Sequence, residues 1–234
     1  MHGELHPLEA DSEYFVNEIF ASVQGEGLLA GTPAVFVRLQ GCPVRCPWCD
    51  TKYTWKEGSD EVALVRPEEV FRKDSKPRCA RITGNEIARQ ARGRWPRVPL
   101  AVVTGGEPCA QPIRPLLKAL EKARFRTEIE TSGFLPVDVP DRTFVTVSPK
   151  ITVPGGRVLP EALRRADEVK MVVGSDEDLA ALDRILPMIP PGTPVSLQPL
   201  SADPAASILC FRTAMERGGR FRVSVQIHKY LGVR

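Results

Sequence analysis

The chain has 234 residues, with 32 Lys and Arg against 29 Asp and Glu for a formal charge of +3; 42% of it is hydrophobic and 26% charged. That balance suits a globular protein of one large or two small domains with a sizeable core, and it excludes a disordered chain. The longest apolar stretches, 34–37 and 100–103, are far too short to cross a bilayer, and no apolar run follows Met1 as in a secretion signal. A cytoplasmic protein is therefore expected, with no membrane partner.

In chain order, residues 1–12 are polar and aperiodic and read as a loose tail. Residues 34–39 are β-branched and apolar, a buried strand that runs directly into a group of cysteines. Residues 56–97 are rich in charge and interrupted by Pro67, Pro77 and Pro96, and they read as a variable, partly helical excursion with helical pieces at 68–73 and 85–92. The pattern then becomes regular. Strands are expected at 100–103, 126–130, 143–147, 168–173, 194–197 and 221–226, and helices at 113–124, 160–166, 176–186 and 204–217. Ser175, with an acidic residue three positions on, starts the third of these helices. Asp203 followed by Pro204 starts the last. Strands alternating with helices predict an α/β fold with parallel strands, curled into a barrel or partial barrel. Polar, Gly-containing motifs recur just after the strands: Thr104-Gly-Gly-Glu-Pro108, Glu130-Thr-Ser-Gly133, Ser148-Pro-Lys150 and Gln198-Pro199. In such folds the C-terminal ends of the strands carry the site, so these motifs are expected to converge.

The chain has six cysteines, and Cys42, Cys46 and Cys49 fall within eight residues. In a reducing compartment that spacing points to metal or redox chemistry rather than to disulfides. Three thiolates on one loop can hold three corners of a 4Fe–4S cluster and leave the fourth iron open. A zinc site would need a fourth ligand from Cys79, Cys109, Cys210 or a histidine, all distant in sequence. Those three cysteines are assigned to core or surface positions. Interleaved acidic residues give the basic residues Lys52, Lys56, Arg72, Lys73, Lys76, Arg78 and Arg81 the character of a solvated face, and no nucleic-acid partner is expected. His2 and His6 are assigned to the tail, and Trp55 and Trp95 to packing.

The cysteine loop followed by a strand-end Gly-Gly-Glu-Pro resembles the radical S-adenosylmethionine superfamily. Ser22-Val-Gln-Gly-Glu-Gly27, Phe36-Val-Arg-Leu-Gln-Gly-Cys42, Cys49-Asp-Thr-Lys-Tyr-Thr-Trp55 and the ending Gln226-Ile-His-Lys-Tyr-Leu231 narrow this to the 7-carboxy-7-deazaguanine synthase family, from about residue 17 onward. The resemblance implies a radical S-adenosylmethionine core, an incomplete TIM-type barrel, in a single domain over 13–234. It also implies a carbon–nitrogen lyase that contracts the ring of 6-carboxy-5,6,7,8-tetrahydropterin with loss of ammonia, in 7-deazapurine (queuosine) biosynthesis. A 5′-deoxyadenosyl radical would begin that reaction by abstracting hydrogen from the substrate. Cofactors implied are the 4Fe–4S cluster, S-adenosylmethionine and Mg2+. Implied partners are a small pterin, an electron donor such as flavodoxin or ferredoxin, and a second copy in a homodimer.

Carried over by position, Cys42, Cys46 and Cys49 would bind the cluster and Thr51 the Mg2+. Trp48, Cys49, Asp50, Gly106, Glu130, Ser132, Ser148, Pro149, Lys150, Gln198, Pro199, Leu200 and Ser201 would surround S-adenosylmethionine. Val23, Gln24, Gly25, Glu26, Arg38, Thr104, His228 and Arg234 would hold the substrate. The chemistry is consistent: Glu26 and Gln24 match the donors and acceptors of an amino-pyrimidinone, and Arg38 offers a fork to a carboxylate. Mg2+ prefers hard oxygen ligands such as a hydroxyl. Singly, each residue has a plainer reading: a turn residue, a salt-bridged strand residue or a cap. Competing functions are a glycyl-radical-enzyme activase of the same superfamily and a non-catalytic metal-binding module.

Overall fold

A computed structural model describes residues 11–56, 62–72 and 76–233; most of the expected tail, with His2 and His6, lies outside the described residues, as does Arg234. Within them, alternation of side chains decides the architecture. Val35, Val37, Ala101, Val103, Ile129, Val145, Val169, Met171, Val195 and Leu197 turn to one face and join a single apolar core. Their neighbours in sequence turn to the other face. The strands are β1 (Glu13–Val23), β2 (Pro33–Leu39), β3 (Ala63–Leu64), β4 (Arg78–Thr83), β5 (Leu100–Gly105), β6 (Arg126–Thr131), β7 (Phe144–Val147), β8 (Glu168–Val173), β9 (Val195–Pro199) and β10 (Phe221–Val223). They form one sheet in the order β10-β9-β8-β7-β6-β5-β2-β1-β4-β3.

From β2 through β10 the pairings are parallel, whereas β1 runs antiparallel to both β2 and β4. The sheet is open, since its order begins at β10 and ends at β3. This is the expected α/β incomplete barrel, with an antiparallel extension at one edge. The helices are α1 (Gly84–Arg94), α2 (Ile113–Lys122), α3 (Pro160–Arg165), α4 (Asp176–Ile185), α5 (Pro204–Arg217) and α6 (Ile227–Leu231). The helix starts follow the sequence: Asp203 Oδ1 accepts from the Ala206 N–H at 2.9 Å, and Asp178 Oδ2 accepts from Ser175 N at 3.2 Å.

Three strands, β1, β3 and β4, lie where none was expected, and β10 ends at Val223 rather than at residue 226. β1 has no clean alternation: it carries an irregularity between Val16 and Glu18, and Asn17 and Glu18 are both buried. Asn17 Nδ2 donates to Gln40 Oε1 at 2.8 Å and to the Arg78 carbonyl at 2.7 Å, joining β1 to β4. β4 lies within 56–97, so part of that stretch belongs to the sheet and is not only a partly helical excursion. Arg78 also corrects the solvated-face assignment. It is buried, and its guanidinium donates to the carbonyls of Glu69 and Arg72 at 3.1 and 2.9 Å, which places its charge against backbone rather than water.

The start of α2 depends on a distant strand. Pro112 precedes the helix and offers no side-chain cap. Instead the buried Tyr14 hydroxyl of β1 accepts from the Leu116 N–H at 3.1 Å and donates to the Pro112 carbonyl at 2.9 Å. Tyr14→Phe leaves that amide without its partner and is expected to lower stability by about 1–3 kcal/mol. Urea unfolding should show the fall in midpoint with an unchanged slope.

Candidate active site

The face of the sheet away from the helices carries polar residues at the strand ends: Arg38 on β2, Thr104 on β5, Glu128 and Glu130 on β6, Lys170 on β8 and Gln198 on β9. All but Glu128, which hydrogen-bonds Gln24 of the lining, border a cavity of about 340 Å3. Its rim is built from the loops that follow β1, β2, β5, β6, β7 and β9, together with α6. The strand-end motifs read from the sequence therefore meet in one place.

Backbone contacts fix the cysteine loop. Gly41 N donates to the Thr54 carbonyl at 2.8 Å, and Glu107 N donates to the Gly41 carbonyl at 2.8 Å. A Cβ at Gly106 would stand 1.9 Å from the Gly41 oxygen, so only glycine lets the loop after β5 lie against the cysteine loop. The Glu107 carboxylate is then saturated: it accepts from Thr131 Oγ1 at 2.6 Å, from Ser132 N at 2.9 Å, from the Ser132 hydroxyl and from Cys109 N at 3.1 Å. It ties the β5 and β6 strand ends together. Burial pushes the Cys42 and Cys46 thiols above their ordinary range, while the Lys150 ammonium draws Cys46 back down.

The turn after β1 is held by the far end of the chain. Gly27 N donates to Ser224 Oγ at 2.8 Å, Leu28 N to Glu168 Oε2 at 2.9 Å, and Ile227 N to the Gly25 carbonyl at 3.0 Å. A Cβ at Gly25 would fall 1.8 Å from the His228 ring, so Gly25 allows the histidine to close over the turn. Gln226 Nε2 donates to Glu26 Oε1 at 2.6 Å.

Below this turn lies a buried charge network. Lys170 Nζ bonds the Glu26 carboxylate and reaches Glu130 Oε1 at 3.3 Å. Glu130 Oε2 accepts from Thr104 Oγ1 at 3.0 Å. Gln24 Nε2 donates to Glu128 Oε2 at 2.8 Å and to Glu130 Oε1 at 3.3 Å, and Thr146 Oγ1 donates to Glu128 Oε1 at 2.9 Å. Burial would raise the Glu26 carboxyl, but the Lys170 charge and the hydrogen bonds from Lys170 and Gln226 hold it at about 2. Glu128 has no such partner, and burial beside Glu130 pushes it up to about 8. Arg38 sits on a second pair: its Nε donates to Glu18 Oε1 at 2.8 Å, and its guanidinium lies 5.6 Å from the Phe20 ring centre.

Of the residues singled out by sequence, the cavity lining holds Cys42, Cys46, Cys49, Thr51, Trp48, Asp50, Gly106, Glu130, Ser132, Ser148, Lys150, Gln198, Pro199, Leu200, Ser201, Val23, Gln24, Gly25, Glu26, Arg38, Thr104 and His228. Pro149 is not part of the lining but joins two residues that are. Glu130, expected beside S-adenosylmethionine, contacts Gln24 and Thr104, both expected around the substrate, and Lys170, which was not expected at the site. The Thr51 hydroxyl lies 3.4 Å from Cys49 Sγ. Trp55, read as a packing residue, lines the cavity, with its indole N–H buried and without a hydrogen-bond partner.

Lys170, Gln226, Glu107 and Glu18 were missed by sequence reasoning. Glu107 and Gln226 stood inside the Gly-Gly-Glu-Pro and C-terminal motifs without a role assigned to them, whereas Lys170 and Glu18 showed only as charged residues in apolar strands. The expected placements of Cys79, Cys109 and Cys210 hold: the first and last are buried and Cys109 is half-buried.

The donor set fits the group that the cysteine spacing implies. Three free thiols border one cavity, and thiolate sulfur is what an iron–sulfur cluster requires. Among the described residues, no three His, Cys, Asp or Glu side chains are gathered as one metal ion would need. Gln198 Oε1, buried and without a partner, and the Trp55 indole offer an acceptor and a donor to a molecule held beside the thiols.

An open, mostly parallel α/β sheet with a thiol-bordered cavity at its strand ends defines the class: an enzyme of the incomplete-barrel type with its site at the strand C-termini. No protein-family model matches the chain. It is 42% identical over 224 residues to the 7-carboxy-7-deazaguanine synthase of Escherichia coli (strain K12), covering 94% of this chain and 99% of that one. The synthase of Synechocystis sp. is 35% identical over 222 residues, 94% of each chain. The crystal structure of QueE from Escherichia coli superposes with a TM-score of 0.84 at 40% identity, over 92% of this chain and 94% of that one. The chain belongs to the 7-carboxy-7-deazaguanine synthase family. Among the described residues, no helix is long and apolar enough to cross a membrane.

The Glu128 carboxyl gives the site a pH signature. A group whose pKa is raised on folding holds its proton more tightly in the native state, so stability falls as pH climbs from the unfolded value toward about 8. The loss should approach about 1.4 kcal/mol per pH unit within that window. Glu128→Gln, which mimics the protonated carboxyl, is expected to flatten the decline. Thermal midpoints from pH 5 to 8 provide the check.

Proposed function

We propose that the chain converts 6-carboxy-5,6,7,8-tetrahydropterin to 7-carboxy-7-deazaguanine with loss of ammonia, in 7-deazapurine biosynthesis. The observation that carries this reading is the meeting of the cysteine loop, the strand-end loops and the acceptor-rich turn after β1 around one cavity, in a chain of this family. In it, Cys42, Cys46 and Cys49 hold a 4Fe–4S cluster. The loops after β5, β7 and β9, through Gly106, the Ser148–Pro149–Lys150 segment and Gln198, hold S-adenosylmethionine beside it. Reductive cleavage of that cofactor supplies the hydrogen abstraction.

The residues of the chain bind and orient. Arg38, held by Glu18, presents its fork to the substrate carboxylate. Gln24 and the ionised Glu26 face the amino-pyrimidinone edge, with Thr104, Glu130 and His228 around it. Thr51 contributes a hydroxyl oxygen to a Mg2+ whose other ligands come from substrate and water. Trp48 and Trp55 keep water from the thiols. The reading extends to Arg234 as a substrate contact, to a homodimer, to a flavodoxin- or ferredoxin-type donor and to a cytoplasmic location. It also takes 13–234 as one domain with 56–97 as its variable part. These rest on the family resemblance.

The test is anaerobic reconstitution with iron and sulfide, then incubation with reductant, S-adenosylmethionine, Mg2+ and the pterin. Mass detection of 7-carboxy-7-deazaguanine is the expected result; 5′-deoxyadenosine without it would mean a different substrate. Replacing Cys42, Cys46 or Cys49 by Ala is expected to abolish both the cluster absorbance and turnover. Thr51→Ala is expected to weaken the response of turnover to Mg2+ while cluster absorbance persists, and an unaltered Mg2+ response would remove Thr51 from the site.

A further inference from the structure

The cavity floor contains one cation that no sequence motif marked. Lys170 projects from β8, and only 6% of its side chain is exposed. Its ammonium bonds the Glu26 carboxylate, from the turn after β1, and lies 3.3 Å from Glu130 Oε1 on β6. Three carboxyls, those of Glu26, Glu128 and Glu130, face this single ammonium, and the amides of Gln24, from the same turn as Glu26, and of Gln226, from the segment before α6, join them. Lys150 and His228 are the other ionisable groups whose charge reaches the cluster.

We propose that Lys170 is a positioning residue that draws Glu26 and Glu130 together and keeps the Glu26 carboxylate an acceptor-only group, so that the cavity selects a heterocycle presenting N–H donors. The argument is one of charge. Buried carboxylates crowded without a cation share protons, and a protonated carboxyl turns a donor toward its neighbour. Glu128, with no direct bond to the ammonium, is the internal comparison: it is pushed up to about 8, whereas Glu26 is held at about 2. Removing Lys170 would leave Glu26 in the position Glu128 occupies now. A ligand edge with N–H donors would then meet a donor, while Arg38, on its own Glu18 partner, would still take a carboxylate.

The proposal rests on the substrate reading given above, so its test has one arm that needs no substrate. In that arm the thermal midpoint of the protein alone is followed from pH 5 to 8. Lys170→Met is expected to make the fall with rising pH steeper than in the wild type, because Glu26, no longer held by the ammonium, then also holds its proton on folding. In the second arm, loss of well-aimed charge-assisted hydrogen bonds is expected to raise KM for the pterin by about tenfold or more, beyond any fall in kcat. Lys170→Arg keeps the charge and is expected to restore the wild-type pH slope and most of the KM. It also stands in should the Met variant fail to fold: an Arg variant whose pH slope steepens as the charge-free variant is expected to would overturn the clamp. An unchanged slope, or an unchanged KM, in Lys170→Met overturns it as well. Absence of product from the wild type counts against the substrate assignment alone, and the clamp is then judged on the slope.

Discussion

A sheet that turns ionisable residues to a face enclosed by loops must satisfy them from within, and that constraint shapes the site. The helix-covered face is apolar and needs only shape. The opposite face carries Glu128, Glu130, Glu168, Lys170, Ser196 and Gln198 within a few ångströms of backbone and of one another. An isolated charge there would be strongly destabilising. The ionisable ones therefore have partners: Ser196 donates to Glu168, Thr104 to Glu130, Thr146 to Glu128, and Lys170 bridges two strands and a turn. The network that makes burial tolerable also fixes the cavity wall.

Close backbone approach sets the other wall. The loop after β5 and the cysteine loop touch at Gly106, where a Cβ would run into the Gly41 carbonyl. Glu107 then spans to the β6 strand end and spends its acceptor capacity on Thr131, Ser132 and Cys109. The thiols are thus carried by a loop whose position is set by neighbouring strand ends rather than by its own flexibility. Such rigidity is what a site needs when reacting atoms must be held within about half an ångström.

The turn after β1 and the final α6 are far apart in sequence and close on each other across the cavity mouth. Ser224 and Glu168 accept from the turn, Ile227 donates back to it, and His228 occupies the space that a side chain at residue 25 would fill. The cavity is complete only when the last strand has joined the sheet. Cavity-lining groups from both ends of the chain therefore depend on correct closure of the whole order of strands.

Much of the architecture was legible in the sequence, because apolar strands alternating with capped helices have distinct periods. β5 to β9 and α2, α4 and α5 fall within a few residues of where their patterns put them. β1 and β4 were not legible. Their buried Asn17, Glu18 and Arg78 break the hydrophobic pattern, and those side chains find hydrogen-bond partners on other elements. The same division holds for the site. The cysteine spacing and the strand-end glycines were determined locally, because a cluster loop and a tight turn each impose residue types at fixed intervals. Lys170, Gln226 and the indole of Trp55 came to the cavity, and Glu18 to Arg38 of its lining, only through tertiary structure. A charge in a strand has no local meaning until the sheet decides which carboxylates it faces.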